Sequence, residues 1–197
     1  PTRYDLRLEP DLDRFTFTGT ETITVTVREA TAEVVLNAAE LEVTEASIEN
    51  GTGVRLRGTV EMDEPTARCR FRFPDHLTPG EWRLHLSFKG NLNDKLRGFY
   101  RSHYKDHAGA TQVLAATQFE ATDARRAFPC WDEPAFKAVF ATTLVIAPAL
   151  TAVSNTTVHS QQVEGGKKVV QFKDTIKMST YLVAFVVGRL EATEPVM

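Results

Sequence analysis

The stretch FTFTGTETITVTV, Phe15 to Val27, sets Phe15, Phe17, Ile23, Val25 and Val27 on one side of an extended chain and Thr22, Thr24 and Thr26 on the other. A period of two marks a half-buried β-strand, because successive side chains of an extended backbone point to opposite faces of a sheet. The pattern continues outward in both directions. Tyr4, Leu6 and Leu8 alternate before it. After it, Cys69, Phe71 and Phe73 alternate with Arg68, Arg70 and Arg72, and Trp82, Leu84, Leu86 and Phe88 alternate with Arg83, His85, Ser87 and Lys89. PDHLTPG, Pro74 to Gly80, reads as the loop between those runs. Phe140, Thr142, Leu144 and Ile146 resume the alternation, EGGKK about Gly165-Gly166 signals a hairpin, and Met178 to Gly188 reads as a final strand. Asp123 to Phe128 is the one short helical turn, with Thr122 as its cap. Many short strands bounded by turns predict an all-β fold: an antiparallel β-sandwich or saddle of two to three sheets with at most short helical turns. Without linker-like or low-complexity tracts, residues 1–197 read as a single domain.

Composition narrows the function classes. At 197 residues, 42% hydrophobic, 25% charged and a net charge of -3, the chain is an ordinary globular protein that needs no disulfide or metal to fold. Lys and Arg are interspersed with Asp and Glu, so no basic face for nucleic acid is expected. The longest apolar run, Tyr181 to Gly188, is too short to span a bilayer and suits a buried strand. PTRYDLRLEP carries no basic segment followed by an apolar one, which favours a cytoplasmic location over secretion. Cys69 and Cys130 lack CxxC spacing and read as two reduced, buried thiols.

Catalytic constellations are sparse. His103 and His107 in HYKDH have the separation of a zinc helix, but Tyr104 stands where that motif needs Glu, and Asp106, Ala108 and Gly109 read as a loop. His76, His85 and His159 occur singly. There is no GxSxG, no cysteine with a histidine partner and no phosphate-binding glycine loop, and Asp63-Glu64 sits in a turn. No metal site and no catalytic residue is expected within this chain.

TQFEATDARRAFPCWDEP, Thr117 to Pro134, is the exception in its density of special residues. If Val113 to Glu120 is a strand, Gln118 and Glu120 share a face with Leu114 and Ala116, while Thr117 and Phe119 take the other. An amide oxygen beside a carboxylate can receive an ammonium group; an exposed polar strand end accounts for the same spacing. The remainder reads as architecture. Arg125 and Arg126 are within reach of Asp123, Asp132 and Glu133, Pro129 and Pro134 stiffen the corners, and Phe128, Cys130 and Trp131 plug the loop into the core.

TQFEATDARRAFPCWDEPAFKAVF closely resembles a block in the first domain of the zinc aminopeptidases of the aminopeptidase N, puromycin-sensitive and endoplasmic-reticulum aminopeptidase group. LRGFYRSHY (Leu96 to Tyr104), KMSTYLVAFVVGRLE (Lys177 to Glu191) and the N-terminal YDLRLEPDLDRFTFTGT agree with it, so the resemblance runs the length of the chain. It implies a β-saddle packed on a thermolysin-like catalytic domain, where GxMEN and HExxH motifs supply substrate recognition, zinc ligands and the general base. Neither motif occurs in these residues, so zinc is expected in the full-length parent and none in this chain. By resemblance, Gln118 lines the pocket for the first side chain of a peptide substrate, and Glu120 binds its free α-ammonium. Two alternatives stand beside this: the same domain in a scaffold relative that has lost its zinc site, and a free-standing β-sandwich binding module.

Overall fold

A computed structural model describes residues 1–191. Fifteen strands run in chain order: β1 Arg3–Asp11, β2 Thr16–Val27, β3 Thr31–Asn37, β4 Leu41–Asn50, β5 Arg55–Arg57, β6 Thr59–Asp63, β7 Arg68–Leu77, β8 Gly80–Asn91, β9 Gly98–Lys105, β10 Thr111–Gln118, β11 Val139–Ile146, β12 Thr151–Ser154, β13 Val158–Glu164, β14 Lys167–Phe172 and β15 Phe185–Gly188. They form three sheets: eight strands in the order β13-β14-β11-β1-β2-β8-β4-β5, four in the order β12-β15-β10-β9, and three in the order β3-β7-β6. The all-β expectation holds, and helical structure among the described residues is limited to 3-10 turns at Glu64–Thr66, Ala124–Arg126 and Thr180–Leu182. No helix is long and apolar enough to cross a membrane.

The periodicity that marks β2 is the periodicity of its burial. Phe17, Ile23, Val25 and Val27 lie inward and the intervening threonines lie toward the outer face. A hairpin turn at Gly165 (φ 55°) and Gly166 (φ 78°) joins β13 to β14, both residues in the left-handed region that glycine enters without strain. Among the described strands the ladders are antiparallel except between β1 and β11, which run parallel in register from Arg3–Val139 to Leu8–Leu144. Alternation cannot reveal that exception, since it is blind to strand direction.

Aromatic side chains carry the core between sheets. Tyr4 of β1 stacks on Phe140 of β11 at 4.9 Å and meets Phe128 edge-on at 6.2 Å. Phe128 meets Phe119, Phe119 meets Phe185 of β15, Phe185 meets Phe99 of β9, and Phe99 meets Phe17 of β2, with centroids 4.9 to 6.2 Å apart. The ring therefore closes from the eight-stranded sheet, through the 119–128 loop, into the four-stranded sheet and back. Each such pair contributes about 0.5–1.5 kcal/mol beyond its area. Cys69 and Cys130 are both reduced and buried, as expected, and burial pushes the Cys69 thiol up to about 12 and the Cys130 thiol well above its ordinary value.

Several sequence expectations are corrected. The last strand is confined to Phe185–Gly188, because Ser179 Oγ donates to Pro134 O (2.8 Å) and Thr180 Oγ1 to Trp131 O (3.0 Å), drawing that backbone onto the loop instead of into a ladder. Pro74 to Leu77 belongs to β7 and not to a loop; it passes through the register shift opposite Thr31 and Glu33 of β3, where a missing N–H is harmless. The turn at Ala124–Arg126 is preceded by Asp123 in place of Thr122, with no side-chain cap bond.

Candidate functional site

Strand β10 ends at Gln118, and Glu120 lies in the turn beyond it, so the two do not share one pleated face of a single strand. Phe119 is 2% exposed and wedged edge-on against Phe128 and Phe185, whereas Gln118 and Glu120 on either side of it are exposed. Strand alternation about the buried Phe119 turns Gln118 outward, and Glu120 is exposed in the turn that follows. Gln118 pairs with Gly98 of β9, and Thr117 Oγ1 receives the Phe185 N–H at 3.0 Å, which ties this strand end to both of its neighbours.

Neither Gln118 nor Glu120 engages in a side-chain hydrogen bond or ion pair with the described residues. An exposed carboxylate and amide with free lone pairs suit the three donors of an ammonium group. They stand on an open wall. A cleft of about 600 Å³ lined by Leu12, Thr111, Gln112, Val145 and Lys167 lies at the opposite end of β10.

The loop after Phe119 is sewn to β3 and to its own arginines. Asp123 N–H bonds Phe119 O at 2.9 Å, closing the turn that contains Glu120. Asn37 and Cys130 exchange backbone bonds at 2.7 and 3.0 Å, Ala39 N–H bonds Arg125 O at 2.9 Å, and Asp132 N–H bonds Asn37 Oδ1 at 3.2 Å. Arg125 Nε donates to Asp132 Oδ2 at 2.9 Å; that carboxylate is 1% exposed, and burial lifts its pKa while the guanidinium opposes the rise. Arg126 Nε donates to Asp123 Oδ1 at 2.7 Å. The expected arginine pairs thus form with Asp123 and Asp132, but the Glu133 side chain has no arginine among the described residues. Phe128 and Cys130 are fully buried, whereas Trp131 is half-buried against Phe136, its backbone N–H donating to Tyr4 Oη at 3.2 Å.

Two participants were missed. Glu40, in the β3–β4 connection, lies 2.5 Å from Arg126 Nη1 and 3.3 Å from Arg97 Nη2. No sequence signal marks it, because it is distant in the chain from both arginines. Gly98 could have been flagged from its place in LRGFYRSHY: its φ is 67°, and a Cβ there would lie 2.6 Å from Arg126 Cβ.

Metal chemistry finds no ligand set in these residues. No group of three His, Cys, Asp or Glu side chains stands close enough to hold an ion among the described residues. His103 lies on β9 and His107 in the turn beyond it.

Residues 1–182 match the family model described as the peptidase M1 N-terminal domain. The chain is 47% identical to aminopeptidase M1-C of Oryza sativa subsp. japonica over 200 residues, covering 100% of this chain and 22% of that protein. It is 44% identical to the puromycin-sensitive aminopeptidase of Caenorhabditis elegans over 194 residues, 97% of this chain and 20% of that protein. With Saccharomyces cerevisiae aminopeptidase 2, mitochondrial, identity is 43% over 98% of this chain and 20% of that protein. The chain spans about a fifth of the length of these relatives.

Proposed function

This chain belongs to the peptidase M1 N-terminal domain family, and from that premise we propose that residues 1–197 form a single N-terminal domain of a zinc aminopeptidase, one that releases N-terminal residues from peptides. In this reading the domain supports the catalytic domain and contributes one wall of the substrate site. Glu120 binds the free α-ammonium of the peptide, and Gln118 contacts its first side chain. The observation that carries the assignment is the exposed, unpaired Gln118 and Glu120 held on either side of the buried Phe119. An ammonium fixed at Glu120 sets the distance from the peptide N-terminus to the reacting bond, which restricts cleavage to the first peptide bond. A cytoplasmic site of action belongs to the same reading, and localising a tagged full-length protein checks it.

The test is steady-state kinetics of the full-length enzyme on aminoacyl-anilide substrates. Glu120→Ala is expected to raise KM by about tenfold or more, the order of one charge-assisted hydrogen bond at 1.5–3 kcal/mol. Glu120→Gln retains shape and removes charge, so it separates the two contributions. Unchanged KM in both variants would overturn the assignment. Reading the coding sequence beyond residue 197 for GxMEN and HExxH separates an active parent from a scaffold relative.

A further inference from the structure

We propose that Arg126 and Glu40 are positioning residues for Glu120, forming with Arg97 and Asp123 a charge-neutral clamp that fixes the turn on which Glu120 stands. This rests on the reading of Glu120 as the ammonium-binding residue. The turn has two ends. Phe119 anchors the first in the aromatic core, at 2% exposure. Asp123 closes the second through its N–H bond to Phe119 O at 2.9 Å, and its carboxylate is held by Arg126 Nε at 2.7 Å. Glu120, Ala121 and Thr122 lie between these fixed points, so the placement of Asp123 determines where the Glu120 carboxylate can reach.

Arg126 is itself held from three directions. Asp123 takes Nε, Glu40 takes Nη1 at 2.5 Å, and the Arg126 stem passes over Gly98, where any Cβ would lie 2.6 Å from Arg126 Cβ. Gly98 pairs directly with Gln118, so the clamp touches both proposed substrate contacts at once. Arg97 adds a second guanidinium to Glu40 at 3.3 Å. Glu40 holds its position with φ 57° and Leu96, next to Arg97, with φ 55°, left-handed backbone that side-chain-bearing residues rarely adopt. Strain of this kind, on the order of 1–3 kcal/mol per residue, persists where surrounding contacts over-determine it. The charges also matter. Arg97 and Arg126 are paired with Glu40 and Asp123, so neither of these guanidinium groups is paired with Glu120. A partner for Glu120 among those arginines would have blocked ammonium binding; pairing each with another carboxylate keeps Glu120 free.

The test is a double-mutant cycle in the full-length enzyme with an aminoacyl-anilide substrate. Arg126→Gln and Glu40→Gln are each expected to raise KM about fivefold with kcat within about twofold, since binding of the N-terminus is loosened while the reacting groups are untouched. Arg126→Lys is expected to recover part of the loss. Glu40→Gly removes the carboxylate while relieving the left-handed backbone, so it is expected to raise KM without lowering Tm. In a Glu120→Ala background the same substitutions are expected to change KM by less than about twofold. KM unchanged in Glu40→Gly, or losses that multiply in the Glu120→Ala background, would overturn the positioning role while leaving Glu120 assigned. Glu120→Ala with unchanged KM would instead remove the ammonium-site reading, and this inference with it.

Discussion

Glu21 presents a carboxyl group where the fold calls for a hydrocarbon. It lies inward on β2, paired in register with Leu6 of β1 and Leu86 of β8, and is 3% exposed with neither oxygen hydrogen-bonded. Burial, with no partner to offset it, pushes its pKa well above the ordinary range. A buried polar group without a partner costs about 1–3 kcal/mol. Glu21→Leu removes that cost in a slot already lined by leucines, and is expected to stabilise the chain by about 2 kcal/mol, or about 4–8 °C in Tm for a chain of this size. The pH dependence has a definite sign. The folded pKa is raised, so between the titration of an unfolded glutamate, about 4.3, and that of the buried group, the native state binds one more proton than the unfolded state. The stabilising contribution is complete below that range and is lost at about 1.4 kcal/mol per pH unit as pH rises through it. Relative to Glu21→Gln, which does not titrate, the unsubstituted chain is expected to lose stability progressively as pH rises above the titration range of an unfolded glutamate. Urea unfolding followed by tryptophan fluorescence at a series of pH values measures this. A lower Tm in Glu21→Leu, or a difference from Glu21→Gln that is flat with pH, would refute the reasoning.

Two further outcomes follow from the loop. Asp132→Asn leaves Arg125 half-buried without its carboxylate and is expected to cost about 3–5 kcal/mol in thermal or urea unfolding, far more than a surface pair such as Arg3–Asp174 would. Cys69 and Cys130 are both buried with thiol pKa values raised, so a thiol reagent is expected to label neither on the timescale of minutes in native buffer and both in denaturant; rapid native labelling of Cys130 would mean that the loop opens freely.

Much of this architecture is legible from one-dimensional pattern, for a physical reason. A strand between core and solvent must alternate, so β1, β2, β7, β8 and β11 declare themselves through Phe, Leu and Val against Thr and Arg. The Gly165-Gly166 turn is equally visible, because few residues other than glycine accept that backbone. Where the prediction failed, side chains had captured the backbone. Ser179 and Thr180 turn an apolar run away from a ladder, and the Pro74 region hides in a bulge. Glu21 falls on the same side of the alternation as Phe17 and Ile23, and only the structure shows that its carboxyl group has no partner there.

The candidate site divides in the same way. The sequence by itself determined that Gln118 and Glu120 flank an aromatic residue and that Arg125 and Arg126 have acidic partners within reach, because these relations are local and depend on covalent spacing. Only the tertiary structure decided that β10 stops at Gln118, that Phe119 is the pin holding both polar side chains outward, and that Glu40 and Gly98 complete the brace around Arg126. Those contacts join residues tens of positions apart, and they form only when β3, β9 and the 119–132 loop are packed together around the same aromatic core.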